Sequence, residues 1–383
     1  MIRKLTFCFL FISSICFSQT KSHFQNLDVF ELEWVVNPEI SPDGNRVVYQ
    51  RSGFDIMNDR KQSRLWMMNA DGSNHIKLTS NEVSESSPKW SPDGTRIAFT
   101  SSTENGSEIF VYWLATGKVA KLTQLEKSPG GLSWSPDGKH IAFLMTVAES
   151  QPTLVKAPKK PKGAKWANHP RVTTRFKYES DGSGYIQPGF KHLFVVSAEG
   201  GSPRKISSGN YKFGSPNWSK DGKSLYFSGN LIDDWDYDFR NSEIYNINIS
   251  TGKTTALTDR KGPDRGLAIS PNGKQIAYLG FDDKVQTYQV NHIYLMNTDG
   301  TNKRQVRTGL DRSPSDLSWS TDGKGLYFKY DDKGNSKIGY TTLSGKTSKI
   351  ADNLGGTAIG RPYGAGSYSL SKTGKIAYTQ STP

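Results

Sequence analysis

The side chains in this 383-residue chain best suited to act on another molecule are carboxylates. Asp233, Asp234, Asp236 and Asp238 crowd one short stretch, and Glu82 and Glu85 form a second pair. Grouped acids hold cations, either a metal ion or the ammonium group of a peptide's amino terminus. The alternate spacing of Asp234, Asp236 and Asp238 resembles the start of an EF-hand calcium loop. The rest of that pattern fails, because Phe239 stands where the loop needs Gly and Tyr245 where a bidentate Glu closes the shell. Ordinary solvated charge is the plain alternative for both acidic groups.

Other chemistries are absent or excluded. No Gly-x-Ser-x-Gly elbow exposes a serine nucleophile. The histidines (His23, His75, His140, His169, His192 and His292) show no His-Glu-x-x-His or other ligand spacing, and His192 and His292 open strands as structural residues. Both cysteines, Cys8 and Cys16, fall within Met1 to Ser18. That segment reads as a secretory signal: basic Arg3 and Lys4, an apolar Leu5 to Phe17, and a cleavage point before Gln19. The mature chain then has no cysteine, which excludes thiol catalysis, disulfides and Cys metal sites. No metal or other cofactor is expected, and the expected location is the periplasm or the exterior. Losing Arg3 and Lys4 takes the formal charge from +13 to +11. Such basicity favours anionic partners, but no nucleic-acid motif is present and none is expected to bind. No other stretch is apolar enough to span a membrane.

What must position these residues is a repeat. Trp90-Ser91-Pro92-Asp93-Gly94 returns in seven versions, with the turn positions Asp43, Asp93, Asp137, Asp221, Asn272, Asp322 and Thr373 spaced 50, 44, 84, 51, 50 and 51 residues apart. Pro, Asp and Gly suit successive positions of a tight turn, and the aromatic that follows Gly94 at Phe99 ends an alternating run. A third strand, a second Gly turn and a short fourth strand complete each unit, which is one blade of a propeller. The Asp of the repeat is a turn residue; a sialidase Asp-box would need one more residue before its Gly. The expected fold is all-β: a seven-bladed β-propeller of four-stranded antiparallel blades, the seventh left incomplete at the C-terminus.

The expected organisation is a signal at 1–18, a linker at 19–32 with a short helix from Leu27 to Trp34 capped by Asn26, and the propeller at 33–383. Because strands alternate in direction, the two Gly turns of every blade share one rim. The second-to-third loops share the other rim with the links between blades. Long segments gather there: Arg51 to Gln62, Thr146 to Lys191, Gly229 to Asn241 and Gly280 to Val290. Function is expected on this loop rim. The third-blade insertion, 146–191, is strongly basic through Lys156, Lys159, Lys160, Lys162, Lys165, Arg171, Arg175 and Lys177, and Pro152, Pro158, Pro161 and Pro170 keep it extended. It reads either as a solvated loop or as a docking element.

Several longer stretches resemble the N-terminal propeller of prolyl oligopeptidase-family serine peptidases, on the acylaminoacyl-peptidase and dipeptidyl-peptidase side. They are Pro161 to Ala167, Tyr178 to Tyr185, His192 to Val196, Gly200-Gly201, Tyr278 to Asp283, and Leu354 to Thr357 with Gly360-Arg361-Pro362-Tyr363. The shorter repeat is also similar to TolB-type propellers, and the resemblance covers residues 27–383. It implies an α/β-hydrolase domain as partner, supplying the Ser-Asp-His triad, with the propeller restricting access to short peptides. That domain is missing from this chain, so no catalytic residue is assigned and the chain alone is expected to be inactive. The family's dipeptidyl peptidases hold the substrate amino terminus with propeller carboxylates. No stretch here matches that motif, and Glu82 and Glu85 rest on position alone. The alternative reading is a free-standing, TolB-like periplasmic protein-binding propeller.

Overall fold

The computed structural model of the protein describes residues 23–356, apart from 81, 151, 153, 154, 157, 168–170 and 183, together with residues 366–381. The signal segment, the start of the linker, His169, Pro170 and the Gly360 to Tyr363 motif lie outside the described residues.

The repeated turn builds itself from its own side chains. In Ser91-Pro92-Asp93-Gly94, the Ser91 hydroxyl donates to Asp93 at 2.5 Å and accepts the Arg96 N–H at 2.9 Å. Asp93 in turn accepts the Thr95 N–H at 3.1 Å. Gly94 closes the turn at φ +71°, a left-handed conformation that costs a residue with a Cβ about 1–2 kcal/mol. The same bonds recur at Ser135 with Asp137, Ser219 with Asp221, Ser270 with Asn272 and Ser320 with Asp322. The repeated acid is thus consumed by its turn.

Six four-stranded antiparallel sheets result, each running in sequence order from an inner to an outer strand. Blade 1 spans Trp34 to Lys77, blade 2 Glu85 to Lys121, blade 3 Gly130 to Lys205, blade 4 Lys212 to Ala256, blade 5 Asp264 to Val306 and blade 6 Ser315 to Leu354. In blade 4 the inner strand is split into Lys212–Phe213 and Asn217–Trp218. The expected count of seven is corrected to six blades. The seventh repeat contributes a two-stranded hairpin, Tyr368–Leu370 with Ile376–Tyr378.

That hairpin lies between blades 6 and 1. Ile40 N–H donates to Ser369 at 2.9 Å and Lys372 N–H to the Pro42 carbonyl at 3.0 Å, while Gly355 N–H of the blade 6 side donates to the Thr379 carbonyl at 3.0 Å. Outside it, an open groove of about 900 Å³ runs between Trp34, Ile40 and Tyr49 of blade 1 and Ile376 to Ser381.

The core sits between blades. The aromatic five residues past each turn glycine is fully buried at Phe99, Phe143, Phe227, Tyr278 and Phe328. Four of these face an aromatic directly across the sheet, Phe99 on Phe110, Phe143 on Phe194, Phe227 on Tyr245 and Tyr278 on Tyr294, with centroids 5.5–5.8 Å apart. Each such pair contributes about 0.5–1.5 kcal/mol beyond its burial. The indole N–H of Trp90, Trp134, Trp218 and Trp319 each reaches a carbonyl of the preceding blade's inner strand.

Two local expectations shift. The short helix is a 3-10 helix, Asn26–Glu31, with Gln25 rather than Asn26 at its cap and Asp28 accepting the Gln25 N–H at 2.7 Å. Arg51 to Gln62 is no long loop, because cross-strand pairing continues to Asp55 and Arg60.

Candidate functional site

The turn rim is closed by short Gly turns, and the longer segments lie on the loop rim. Its largest feature is the segment between Ala148 and Gly189, the last directly paired residues of blade 3's second and third strands. This segment is held to blade 4. Arg175 pairs with Glu149 at 2.6 Å, donates to the Gly189 carbonyl at 3.1 Å, and lies over the rings of Phe190 (4.1 Å) and Trp235 (5.6 Å). Phe190 meets Trp235 edge-on, and the Lys212 amine sits 4.4 Å from the Trp235 ring. Burial, the largest influence, lowers the Lys212 pKa; Asp236 opposes this, and Lys177 and Arg175 add to the depression.

The acidic loop expected as a site joins this same contact. Asp236 accepts the Phe176 N–H at 2.5 Å, and Phe176 packs against Tyr237. Asp233 accepts the Tyr211 hydroxyl at 3.1 Å. The backbone carbonyl of Asp234 accepts the N–H groups of Tyr237 and Asp238, and that of Asp238 accepts Asn230 Nδ2. The side chains of Asp234 and Asp238 are exposed.

Glu82 and Glu85 behave differently from each other. Glu82 is exposed and already bridged by Lys77 at 3.1 Å and Arg64 at 3.5 Å, which hold its carboxyl below the usual range. Glu85 is wholly buried, so the expectation that it faces an open rim is corrected. It accepts the Thr79 hydroxyl at 2.5 Å and the Leu65 N–H at 3.4 Å, tying blade 2 to blade 1. Burial raises its pKa against those bonds. No hydrogen bond or ion pair among the described residues joins the Glu82 pair to the Asp233 loop.

Glu85 exposes a device that reading the residues one by one missed. A hydroxyl just past each of blades 1 to 4 locks a blade edge: Thr79 to Glu85, Thr123 to Glu108 at 2.7 Å, Ser207 with His192 at 3.0 Å, and Thr258 to Glu243 at 2.5 Å. The recurring Leu-Thr pairs at Leu78-Thr79, Leu122-Thr123 and Leu257-Thr258 were its visible signal. His192 is buried, with its pKa lowered chiefly by that burial.

Between blades 4 and 5 the device gathers unusual charge. Glu243 has its pKa raised to about 7, mainly by burial and also by Asp264, against the bond from Thr258. Asp264 is fully buried, raised to about 6 by burial although Arg260 lies 3.2 Å away. Arg260 is itself over the Tyr294 ring at 3.8 Å and within 3.6 Å of Asp282. Arg260 is the ion-pair partner of Asp264, whose buried oxygens make no hydrogen bond.

No group of three or more potential metal ligands occurs among the described residues, and no described helix is long and apolar enough to cross a membrane.

Comparison with known proteins agrees with this architecture. The family described as TolB beta propeller domain matches residues 55–278. Dipeptidyl-peptidase 5 of Porphyromonas gingivalis is 25% identical over 328 residues, covering 81% of this chain and 46% of its own. An uncharacterized peptidase of Bacillus subtilis, YuxL, is 24% identical over 207 residues, 54% of this chain and 31% of its own. The chain thus spans less than half the length of these curated relatives. Among solved structures, the acylaminoacyl peptidase of Pyrococcus horikoshii superposes with a TM-score of 0.68 at 17% identity, over 92% of this chain and 50% of that one.

Proposed function

The chain belongs to the TolB β-propeller family, and from that premise we propose that it is the substrate-gating, non-catalytic propeller of an exported serine exopeptidase or oligopeptidase acting on short peptides. The observation that carries this reading is the asymmetry of the rims. One is sealed by self-contained turns, while the other bears a basic segment fastened by Arg175 to Phe190 and Trp235. A rim so built suits docking against an α/β-hydrolase domain, with peptides selected by size as they pass. Similarity to proteins named as peptidases over most of this chain supports it. Export rests on the signal-like Met1 to Ser18. Of the rim acids, Asp234 and Asp238 are assigned to the ammonium group of the peptide, since Glu82 is already paired and Asp236 holds the Phe176 N–H.

The test is to capture the native product from its source cell with an antibody against the propeller, measure its intact mass, and treat it with a fluorophosphonate that labels active serines. A labelled species far heavier than 42.5 kDa is expected. An unlabelled species at this mass less its signal overturns the reading. Peptidase activity of the purified chain alone would also contradict it. The closure of the ring through the Tyr368 to Tyr378 hairpin favours the second reading, a free-standing TolB-like periplasmic protein-binding propeller.

A further inference from the structure

A second cavity on the loop rim, about 450 Å³, opens between blades 4 and 5. Its charge is one-sided: Lys212, Arg240 and Arg265 line it, and no carboxylate does. Cations gathered around a concave site create a positive potential that a bound anion relieves. Most of the acids close by are engaged elsewhere. Asp264 and Asp282 attend Arg260, and Asp283 accepts the Val285 N–H and the Gln289 amide on Oδ1, leaving Oδ2 toward Arg240. Arg240 touches Asp283 through Nε alone, at 3.7 Å. Arg265 is exposed, and its one polar side-chain contact among the described residues is Asn291 at 3.4 Å. Both guanidinium forks therefore keep free N–H donors, in the planar arrangement that matches a carboxylate.

The amides of the lining are sealed into its wall. Asn230 is 4% exposed, and its Nδ2 donates to the Asp238 carbonyl at 2.8 Å, which fixes the amide so that Oδ1 has no partner. The Oδ1 of Asn241 is likewise unpartnered. Both oxygens are closed off from solvent and so belong to the wall, not to the opening. Phe213, Phe239 and Phe281 supply the apolar part of the wall. Guanidinium donors and aromatic faces together fit a group that carries a carboxylate beside an apolar side chain. A free inorganic anion offers only the first of these.

We infer that this cavity is a subsite for the C-terminal carboxylate of a short peptide, with Arg240 and Arg265 holding the carboxylate and Phe213, Phe239 and Phe281 taking its apolar side chain. The inference rests on the peptide-gating reading and adds to it a polarity: the carboxylate end lies at the blade 4 to blade 5 seam.

The test is calorimetric titration of the full chain with Gly-Gly-Phe, with its C-terminal amide, and with inorganic phosphate. The free acid is expected to bind at least tenfold more tightly than the amide, and phosphate more weakly than the acid. In Arg265→Gln and Arg240→Gln the acid should lose about tenfold in affinity while the amide is unchanged. The exposure of both arginines keeps these variants foldable, and Arg265→Lys, which retains charge but loses the fork, checks the geometry. Equal affinity for acid and amide, no binding of either, or unchanged discrimination in the double variant overturns the inference. Phosphate binding as tightly as the acid assigns the cavity to a simple anion and overturns the peptide assignment. None of these outcomes alters fluorophosphonate labelling of the native product, so the subsite and the gating role fail separately.

Discussion

The indole N–H of Trp218 donates to the main-chain carbonyl of Ser133 at 2.9 Å, across 85 residues of sequence and one inter-blade seam. Ser133 directly precedes Trp134, whose own indole donates to Lys89, which directly precedes Trp90. Trp90 in turn donates to Glu39, the residue before Ile40. The tryptophan of the repeat is therefore a latch between successive blades, absent at the blade 4 to 5 and blade 6 to 1 seams, where Ile269 and Ile40 take its place.

Trp218→Phe keeps most of the ring's burial and removes the donor. The expected cost is about 1 kcal/mol for the missing bond, rising toward about 3 kcal/mol if the Ser133 carbonyl is left dry. Trp218→Ala should cost about 3–5 kcal/mol because it also opens a cavity. Urea unfolding followed by circular dichroism separates the two, and a Phe variant as stable as the parent would show that the bond carries nothing.

The Glu243 and Asp264 pair makes stability depend on pH. Folding raises their pKa values to about 7 and about 6 from ordinary values of 4.5 and 3.8. The folded state then binds more protons than the unfolded state between those limits, so these groups stabilise the fold at low pH and that contribution is lost as pH rises through about 4 to 7. Glu243→Gln should flatten the fall in melting temperature between pH 5 and pH 7.5. An unchanged slope in this variant would rule Glu243 out as a source.

Arg175→Ala should release the blade 3 insertion without unfolding the propeller. Each of the two cation–π interactions that Arg175 makes is worth about 0.5–1 kcal/mol, up to about 2 where it is desolvated. Trypsin should cut at Lys156 to Lys165 faster than in the parent, and the emission of Trp235 should change, while the main thermal transition moves little. Equal cleavage rates would mean that the segment is held from elsewhere.

Gly280→Ala tests the seam beside Asp264. An added Cβ would stand 2.2 Å from Asp264 Oδ1 and 2.7 Å from the Pro263 carbonyl, so the inner strand of blade 5 must shift. Overpacking of this kind costs about 1–3 kcal/mol. A variant with parental stability in equilibrium unfolding would show that the seam yields freely.

The propeller was legible in the sequence because each turn is a local object. Ser, Pro, Asp and Gly satisfy one another within five residues, so spacing alone revealed the blades, their order and the sealed rim. The seventh repeat misled the blade count, since a turn and two strands look the same whether or not outer strands follow. Short-range pattern also placed the acids on the loop rim but not their state. Asp233 and Asp236 differ from Asp234 and Asp238 only through Tyr211 and Phe176, which arrive from other segments.

Burial is the quantity that sequence distance hides. Glu82 and Glu85 sit three residues apart, yet one is solvated between Lys77 and Arg64 while the other is sealed between blades. Strand alternation and the neighbouring blade decide that difference. Asp264 and Arg265 divide in the same way: the first turns into the seam against Arg260, the second stays exposed beside the cavity. Residue types and periodicity could establish the ring and its two unlike rims. Only packing between blades, where desolvation and long-range partners act, determined which charges are spent on holding the ring together and which stay free to meet a ligand.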